Sequence, residues 1–532
     1  MTLPTDPTQA PPTSRAKSGL AISALVVVAL AISCSGLGVA AWMASRQDDE
    51  LSQAIAAIEA VGGSVSYDVD KERAAEVAAG GSDDEEQLDQ SPRPGLFARH
   101  GAPTSVTLRN CTLSHELAAQ IAKLTTLEEL SIAECQLVPD AVRELAGLTR
   151  LTQLDVVDSN LNDDALIHFA GLHDLRVIVL DGTQIHGTGL QHLRGCDKLR
   201  SLSLERTPIA DAELTHLSAF PQLEVLYLSN TSAGDGTLER LSRHFPLTIL
   251  ALDGTLISDD GLAHLAKLRK LDQLRLDSTR IEGAGLRHLV RLTRLKTLTL
   301  THTPINSEGL SHLPSLPQLE TLHLSNTQID DLSLPSLQHL SRLQNLWLDS
   351  TLVTGVGLAA LAPLKQLTLL RLESCPIDNV GLKSMPGFPQ LQWLSLGNSH
   401  VSDEGLTALS GLTSLQSLGL GETQITSAGL VHLEPLRQLK HLNLLKTQLT
   451  DDGLRSLAKL PELEFLNLTG TQVTDAGLRE LRPLNKLVSL QLAETQVTQQ
   501  GAARLQRRLP SLWVDLNEES DGSTDWQDDL DE

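Results

Sequence analysis

Leucine recurs along most of the chain in units of 24 residues, without insertion or deletion. In each unit, aliphatic residues at the first and third positions alternate with variable ones, which predicts a short β-strand with one buried face. Leucines then recur every three residues, which predicts a short α-helix or 3-10 segment with its apolar stripe toward the strand. The first position falls on Val106 and on every 24th residue to Val514, so we predict 17 repeats and a closing strand. Units of this length must stack to bury a continuous core, so the pattern is typical of a solenoid.

Polar residues recur in the same register. Threonine, serine or cysteine holds the sixth position of every unit, where a small side chain with a polar hydrogen can bond the backbone of the turn. Most units have aspartate, serine or asparagine at the tenth position, which suits a helix N-cap. Examples of the tenth position are Asp163, Asp211, Asp259, Ser307, Asn379, Asp403, Asp451 and Asp475.

A long apolar stretch lies near the N-terminus. Residues 19–44 contain no charged side chain over 26 positions, and as a helix they would extend about 39 Å, more than the ~30 Å of a hydrocarbon core. We therefore predict a transmembrane signal-anchor helix. Arg15 and Lys17 before it favour a cytoplasmic N-terminus with the repeats outside. A cleaved signal peptide remains open, as does a lipoprotein with its lipid on Cys34.

Two further segments separate this helix from the repeats. Leu51, Ile55 and Ile58 have helical spacing, and residues 65–69 alternate like a short strand. Residues 70–99 are acidic and rich in alanine, glycine and serine, which predicts a flexible linker that holds the repeats away from the membrane. We thus predict six segments. They are a cytoplasmic N-terminus over 1–18, the anchor over 19–44, a juxtamembrane segment over 45–69, the linker over 70–99, the repeat domain over 100–516 and a disordered acidic tail over 517–532.

The net charge of −24 is concentrated in the flanks of the repeats. Residues 47–90 hold thirteen acids and two bases, and residues 515–532 hold nine acids and no base. Blocks of like charge are usually solvated and disordered. No basic stripe is present to meet phosphates, so the sequence predicts no nucleic-acid partner.

The repeat motif resembles the leucine-rich repeat, in the subclass with threonine or cysteine at the ladder position, as in ribonuclease-inhibitor-like and F-box proteins. Residues 466–487, LNLTGTQVTDAGLRELRPLNKL, carry the resemblance most clearly, and it extends over about 100–516. Residues 53–68, QAIAAIEAVGGSVSYD, are similar to the segment between anchor and repeats in membrane-anchored leucine-rich-repeat proteins of planctomycete-type bacteria. The resemblance implies an α/β horseshoe with parallel strands on its concave face and short helices or 3-10 segments on its convex face.

Cysteines and histidines offer weak candidates for chemistry. Cys111 and Cys135 lie on adjacent units at the ladder position, so a disulfide between them is an open alternative, but the ladder itself explains them. A column of histidines at the fifteenth position lies on helical segments that are ~10 Å apart, too far to share a metal ion readily. We therefore predict no metal and no cofactor. The histidine column consists of His168, His192, His216, His264, His288, His312 and His432.

The variable residues beside the two strand leucines face the predicted concave surface, and they include charged and aromatic side chains. Exposed aromatic residues and arginine are favoured at interface hot spots, so we predict a protein-binding surface there. Ordinary variation on an exposed sheet is the alternative. The candidate binding residues are Asp181, Glu205, Tyr227, Asp253, Arg275, Asp277, His323, Trp347, Asp349, Arg371, Glu373 and Trp393.

No phosphate loop, nucleophile elbow or metal motif appears, so we predict no enzymatic activity. The sequence indicates a membrane-anchored binding module of the bacterial cell envelope, whose partner is a protein or an extracellular polymer. A structural envelope component without a discrete ligand is an alternative. Because similar repeats occur in F-box proteins, the substrate-recognition subunit of a ubiquitin-ligase-type complex is a remote one.

Overall fold

The computed structural model describes residues 49–67, 101–242 and 246–517. The chain divides into two compact units. One contains the residues up to Ser131 together with Gln136–Arg150, and the other contains Ile132–Cys135 together with the residues from Leu151 onward. The strands, in chain order, are β1 Ser64–Tyr67, β2 Pro103–Arg109, β3 Thr112–Leu113, β4 Glu129–Ala133, β5 Gln136–Leu137, β6 Gln153–Val157, β7 Val177–Val179, β8 Ser201–Ser203, β9 Val225–Tyr227, β10 Ile249–Ala251, β11 Gln273–Arg275, β12 Thr297–Thr299, β13 Thr321–His323, β14 Asn345–Trp347, β15 Leu369–Arg371, β16 Trp393–Ser395, β17 Ser417–Gly419, β18 His441–Asn443, β19 Phe465–Asn467, β20 Ser489–Gln491 and β21 Trp513–Asp515.

The first unit begins with a helix over residues 49–60, followed by β1, which pairs antiparallel with β2. Leu51, Ile55 and Ile58 all lie on the buried face of this helix. A Cβ on Gly63 would come within 2.7 Å of Ile58 Cγ2 and of Leu108 Cδ2, so a larger residue here would force these two side chains to shift. The helix and β1 therefore cover the hydrophobic edge of the first repeat, as terminal capping segments of solenoids do.

The predicted linker lies between β1 and β2 in the sequence. Tyr67 and Pro103 are register partners in this pairing, so the two described flanks of the stretch between them lie side by side. The stretch itself, residues 68–100, lies outside the described residues. The predicted linker, residues 70–99, is part of this stretch, so its flexibility and its role as a spacer stay predictions.

The second unit is built on a parallel sheet in which consecutive strands from β6 to β21 are neighbours. Each strand from β7 onward contains three residues: the last of one 24-residue unit and the first two of the next. The register partners are 24 residues apart, as for Leu250 and Leu274. The strands thus begin one residue earlier than predicted, and they end before the third-position leucine. It stays in the core, as Leu252 and Leu276 show.

Short helical segments return the chain from one strand to the next, in agreement with the predicted α or 3-10 character. Besides the helix over residues 49–60, the α-helical segments of the described residues are His115–Ile121, Asp235–Leu241, Asp259–Leu265, Ser307–Leu310, Asp403–Leu409, Leu454–Leu457 and Gln499–Gln506. The 3-10 segments are Ala141–Gly147, Asp163–Phe169, Thr188–Gly195, Glu213–Ala219, Ala284–Arg291, Leu334–His339, Gly357–Leu361, Gly381–Gly387, Gly429–Leu433, Asp451–Gly453 and Gly477–Leu481. Leucines of these segments pack against the strand leucines, and most are fully buried.

The sixth-position residues form the expected ladder of side-chain bonds to the backbone. The Thr255 hydroxyl donates to the Leu252 carbonyl at 2.5 Å, and the Thr423 hydroxyl donates to the Leu420 carbonyl at 2.7 Å. For the threonines of this ladder, the acceptor is the carbonyl three residues earlier in the same unit. Each bond satisfies a buried carbonyl at the point where the chain leaves the strand.

The tenth-position side chains do not cap their own helices, so that prediction is wrong. Where a helical segment begins at the tenth residue, its N-cap is the ninth residue, for example Thr450 before Asp451. The Asp451 carboxylate instead accepts from the Thr474 N–H at 2.8 Å and from the Thr474 hydroxyl at 2.7 Å, one unit further along the chain. Asp403 holds Thr426 in the same way. The tenth position therefore joins neighbouring repeats, since its side chain points along the stack.

The predicted anchor, residues 19–44, lies outside the described residues, as do Arg15, Lys17, Cys34 and the tail beyond residue 517. Among the residues that are described, no helix has the length and apolar character needed to cross a membrane.

Candidate binding site on the strand face

One side of the sheet in the second unit is formed by residues that alternate with the core leucines. In β14, Leu346 points into the core, whereas Asn345 and Trp347 on either side of it point away. We call this surface the strand face. It consists of the first and last residues of each strand and the residue that follows the third-position leucine.

The acids that follow the third-position leucine are partly occupied with holding the sheet together. Asp181 Oδ1 accepts from the Glu205 N–H at 2.9 Å, and Asp349 Oδ1 accepts from the Glu373 N–H at 2.8 Å. Asp253 accepts from the Asp277 N–H at 3.0 Å. Each bond satisfies an N–H of the next repeat beyond the end of its strand. The sequence signal for this role is the recurrence of acids at the fourth position, for which the sequence alone predicts ligand binding.

A charged cluster lies on β10 and β11. Arg275 Nη2 is 2.8 Å from Asp253 Oδ2, and Asp277 accepts from the Thr301 N–H at 2.6 Å. Burial, and then the neighbouring Asp253 carboxylate, raise the pKa of Asp277 to about 6. The three side chains form a local network that leaves the Arg275 guanidinium about half exposed.

A second arginine is held more firmly four strands along. Arg371 Nε is 2.9 Å from Asp349 Oδ2, and Arg371 Nη2 is 3.5 Å from Glu373 Oε2. Only 22% of the Arg371 side chain is exposed, compared with 49% for Arg275. Burial raises the pKa of Asp349, and the Arg371 charge opposes this shift. The guanidinium is therefore fixed in one orientation on the strand face.

Aromatic rings surround this arginine. The His323 ring stacks on Trp347 with centroids 3.9 Å apart, and Trp347 is itself largely buried. Trp347, Leu369, Arg371 and Trp393 border a small pocket of about 20 Å³. Its other lining residues are Leu394, Ser395, Ser417 and Gly419. This volume holds about one water molecule or the tip of one side chain, and it is too small for a drug-sized ligand.

The aromatic surface continues past Trp393, beyond the range predicted from the sequence. The Trp393 and His441 rings are 5.7 Å apart, and the His441 and Phe465 rings are 4.7 Å apart. Ser417, on the strand between Trp393 and His441, is small enough to let the two rings meet across it. Burial lowers the pKa of His441, which favours its neutral form. His441 was missed, although it shares its repeat position with Trp393 and Phe465.

The twelve candidate residues thus do not form one site. His323, Trp347, Asp349, Arg371, Glu373 and Trp393 come together on β13 to β16. Tyr227 is five strands from Trp347, or about 24 Å at ~4.8 Å per strand. Asp181 and Glu205 lie still further along the sheet.

The weaker candidates for chemistry are found in structural positions. Within the described ranges no three metal-capable side chains form a group that could hold an ion. Cys111 and Cys135 are not joined by a disulfide. Burial raises the pKa of Cys196 to about 11, and the buried Cys375 thiol donates to the Leu348 carbonyl at 3.0 Å. Such thiols are poor nucleophiles.

Comparison with known proteins supports the repeat assignment at the level of single units. A leucine-rich-repeat family model matches residues 318–340, and a second matches 437–458 and 460–481. No curated protein matches the sequence.

Solved structures also resemble the chain. A leucine-rich-repeat protein of Leptospira interrogans is 20% identical over 75% of this chain and 92% of its own, with a TM-score of 0.46. A TLR13–ssRNA13 complex is 20% identical over 77% of this chain and 69% of that chain, with a TM-score of 0.49. The plant peptide hormone receptor RGFR1 in complex with RGF2 is 17% identical over 77% of this chain and 73% of that chain, with a TM-score of 0.44. With one strand and one helical segment in each unit and family models matching three of its segments, this chain contains leucine-rich repeats.

Proposed function

We propose that this chain is a membrane-anchored, non-catalytic leucine-rich-repeat protein that binds another protein on its strand face. The observation that carries the proposal is the cluster formed by His323, Trp347, Arg371 and Trp393. Large aromatic side chains and a fixed arginine, gathered beside a pocket for one side-chain tip, have the composition of an interface hot spot. A fixed guanidinium also loses little conformational entropy on binding.

The charges near this cluster favour a protein over a polyanion as the partner. Arg371 contacts two acids, Asp349 and Glu373, so the charged side chains beside the cluster are negative in sum. Over the whole strand face, the candidate residues include six acids and two arginines, and both arginines are paired with aspartates. A nucleic acid would meet net negative charge here. One similar structure contains a single-stranded RNA, but the acids on this face argue against RNA as its ligand.

Substitution of Trp393 tests the proposal. We expect Trp393→Ser in the full-length chain to weaken partner binding at least about 30-fold, since hot-spot truncations cost ~2 kcal/mol or more. The measurement is quantitative affinity capture from envelope fractions, followed by titration of the captured protein. Trp513→Ser is the matched control, because Trp513 has the same repeat position five strands away and is 55% exposed.

Equal loss of capture in the Trp393 and Trp513 variants would contradict the proposed site. If substitution of Trp393 or Arg371 reduces the capture of no protein, the alternative of a structural envelope component would replace a binding function. Folding of each variant is checked by its far-ultraviolet circular dichroism, so that loss of capture is not mistaken for unfolding.

We further propose that the repeats are displayed outside the cytoplasmic membrane, on the basis of the uncharged stretch 19–44 and the bases before it. Digestion of intact cells with a protease is expected to remove the repeats and to leave the N-terminal fragment. Resistance of the repeats in intact cells, with cleavage after lysis, would reverse this orientation.

A further inference from the structure

An unusual cluster of arginines lies at the C-terminal end of the repeats, on the helical segments and not on the strand face. Arg479 and Arg482 belong to the segment Gly477–Leu481 and its C-cap, and Arg504, Arg507 and Arg508 belong to or follow the helix Gln499–Gln506. Together they line an open depression of about 590 Å³. We call these five residues the arginine cluster.

All five side chains are exposed. Among the described residues, no carboxylate forms an ion pair with any of them, and the nearby Glu480 is paired with Arg455 instead. Five guanidinium groups around one depression repel each other and create a positive potential that an anionic segment would relieve. This concentration of positive charge is notable in a chain whose net charge is −24.

The chain itself supplies a segment of opposite charge next to the cluster. Residues 518–532 contain eight acids and no base, and they follow directly on Asn517, the last described residue. Arg508 and Asn517 are nine positions apart, so they are separated by at most about 32 Å at ~3.6 Å per residue. Fifteen residues can span up to about 50 Å, so the tail is long enough to reach the depression.

We propose that the acidic C-terminal tail, residues 518–532, docks on the arginine cluster of its own chain. The carboxylates pair with the guanidinium groups, and Arg is the cation best suited to bind carboxylates in two-pronged fashion. Tethering raises the effective concentration of the tail at the cluster to the millimolar range, so weak individual pairs are sufficient. The docked tail covers the cluster and prevents other polyanions from binding to it.

Carbodiimide cross-linking of the full-length chain tests this proposal, because the reagent joins carboxylates to amines but not to guanidinium groups. Arg507→Lys and Arg508→Lys keep the positive charge and introduce an amine at the cluster. We expect peptides that link position 507 or 508 to acids within 518–532, about tenfold more abundant than links to the same acids from Arg287→Lys. Arg287 is an exposed arginine on the segment Ala284–Arg291, remote in sequence from the cluster.

The links should disappear in 1 M salt, where the Debye length is about 3 Å. Mixing isotopically labelled and unlabelled chains distinguishes docking of a chain's own tail from docking of the tail of a second copy. Links within one chain support the proposal, and links mainly between labelled and unlabelled chains would overturn it in favour of a second copy. Links to the acids of residues 70–99, or none above the Arg287→Lys level, would also overturn it.

A second measurement uses the native arginines. Conversion of the eight tail acids to their amides should increase the modification rate of Arg504 and Arg507 by an arginine-specific dicarbonyl reagent several-fold, while Arg287 is unaffected. An unchanged rate at Arg504 and Arg507 would show that the tail does not cover them.

Discussion

The backbone conformation of single residues carries much of the architecture. The fifth residue of each unit has a positive φ, whether it is glycine, asparagine, aspartate, serine, histidine, lysine, arginine or glutamate. For residues other than glycine this conformation costs about 1–2 kcal/mol. The turn recurs because the stacked strands and helical segments on both sides fix its geometry.

Gly182 is the fifth-position residue at which a side chain is least tolerated. Its φ is +63°, and a Cβ there would lie 1.9 Å from Asp158 Oδ1. Arg206 reaches over it to Asp158, with Nη2 and Oδ1 3.0 Å apart. We expect Gly182→Ala to lower the free energy of unfolding by about 2 kcal/mol, measured by urea denaturation. Gly411→Ala, with open space around its Cβ, should be neutral or slightly stabilising. Equal effects of the two substitutions would contradict this account.

Asp277 makes stability depend on pH. Its folded pKa of about 6 lies above the ~3.9 of an unfolded aspartate, so the folded chain holds this proton more tightly. Stability from this group is complete below pH ~4 and is lost as the pH rises through about 6. Asp277→Asn keeps an acceptor for the Thr301 N–H and removes the charge. We expect the variant to be more stable than wild type by about 1–2 kcal/mol at pH 8 and equal to it near pH 4, in urea denaturation at both values. A difference that does not vary with pH would exclude this role.

At the scale of elements, neighbouring repeats are joined by side chains as well as by the sheet. The fourth-position acids bind the next repeat just beyond the end of its strand, and the tenth-position acids bind it close to the start of its helical segment, as in the Asp451–Thr474 pair, where Thr474 lies three positions before that segment. Both positions repeat every 24 residues, so each bond is made again in the following repeat where the residue type allows it. Ladders of this kind add a nearest-neighbour term to the stability of the stack.

Asp451 and Asp452 allow this inter-repeat term to be measured. Asp451 makes two bonds to Thr474, whereas Asp452 beside it is exposed. We expect Asp451→Ala to lower the free energy of unfolding by about 1–2 kcal/mol, since it leaves the Thr474 N–H without its charged acceptor. Asp452→Ala should change it by less than about 0.5 kcal/mol. Faster hydrogen exchange confined to the Thr474 region would locate the effect, and similar losses for both variants would refute it.

At the scale of the whole molecule, the second unit is a stack in which each repeat contacts mainly its neighbours. Register partners lie 24 residues apart, so removal of a whole unit brings equivalent strands together. Removal of half a unit instead places a helical segment where a strand is needed. The stack therefore tolerates changes in length only in steps of one repeat.

Deletion of residues 442–465 tests this property. The deletion removes one complete unit, and we expect the shortened chain to fold with a melting temperature within about 5 °C of wild type. Deletion of 442–453, half as long, should abolish cooperative unfolding and give soluble protein in low yield. Circular dichroism during heating compares the two. If the shorter deletion is the better tolerated of the two, strict stacking of 24-residue units is wrong.

The sequence by itself determined the repeating unit, the direction in which the units stack and the burial of the leucines in each unit, because all three follow from local periodicity. It also indicated that Trp347, Arg371 and Trp393 face away from the core, since alternation in a strand decides this. The partners of the polar side chains were decided only by the tertiary structure.

The sequence predicts ligand binding for Asp181 and Asp349 and a helix cap for Asp451. In the structure, each of these carboxylates binds a residue about 24 positions away. The pairing of β1 with β2 and the contact of His441 with Trp393 are likewise long-range. A periodic pattern fixes which face a residue occupies. It does not fix which group on the adjacent repeat meets its side chain, because that depends on distances between repeats that only the stacked structure sets.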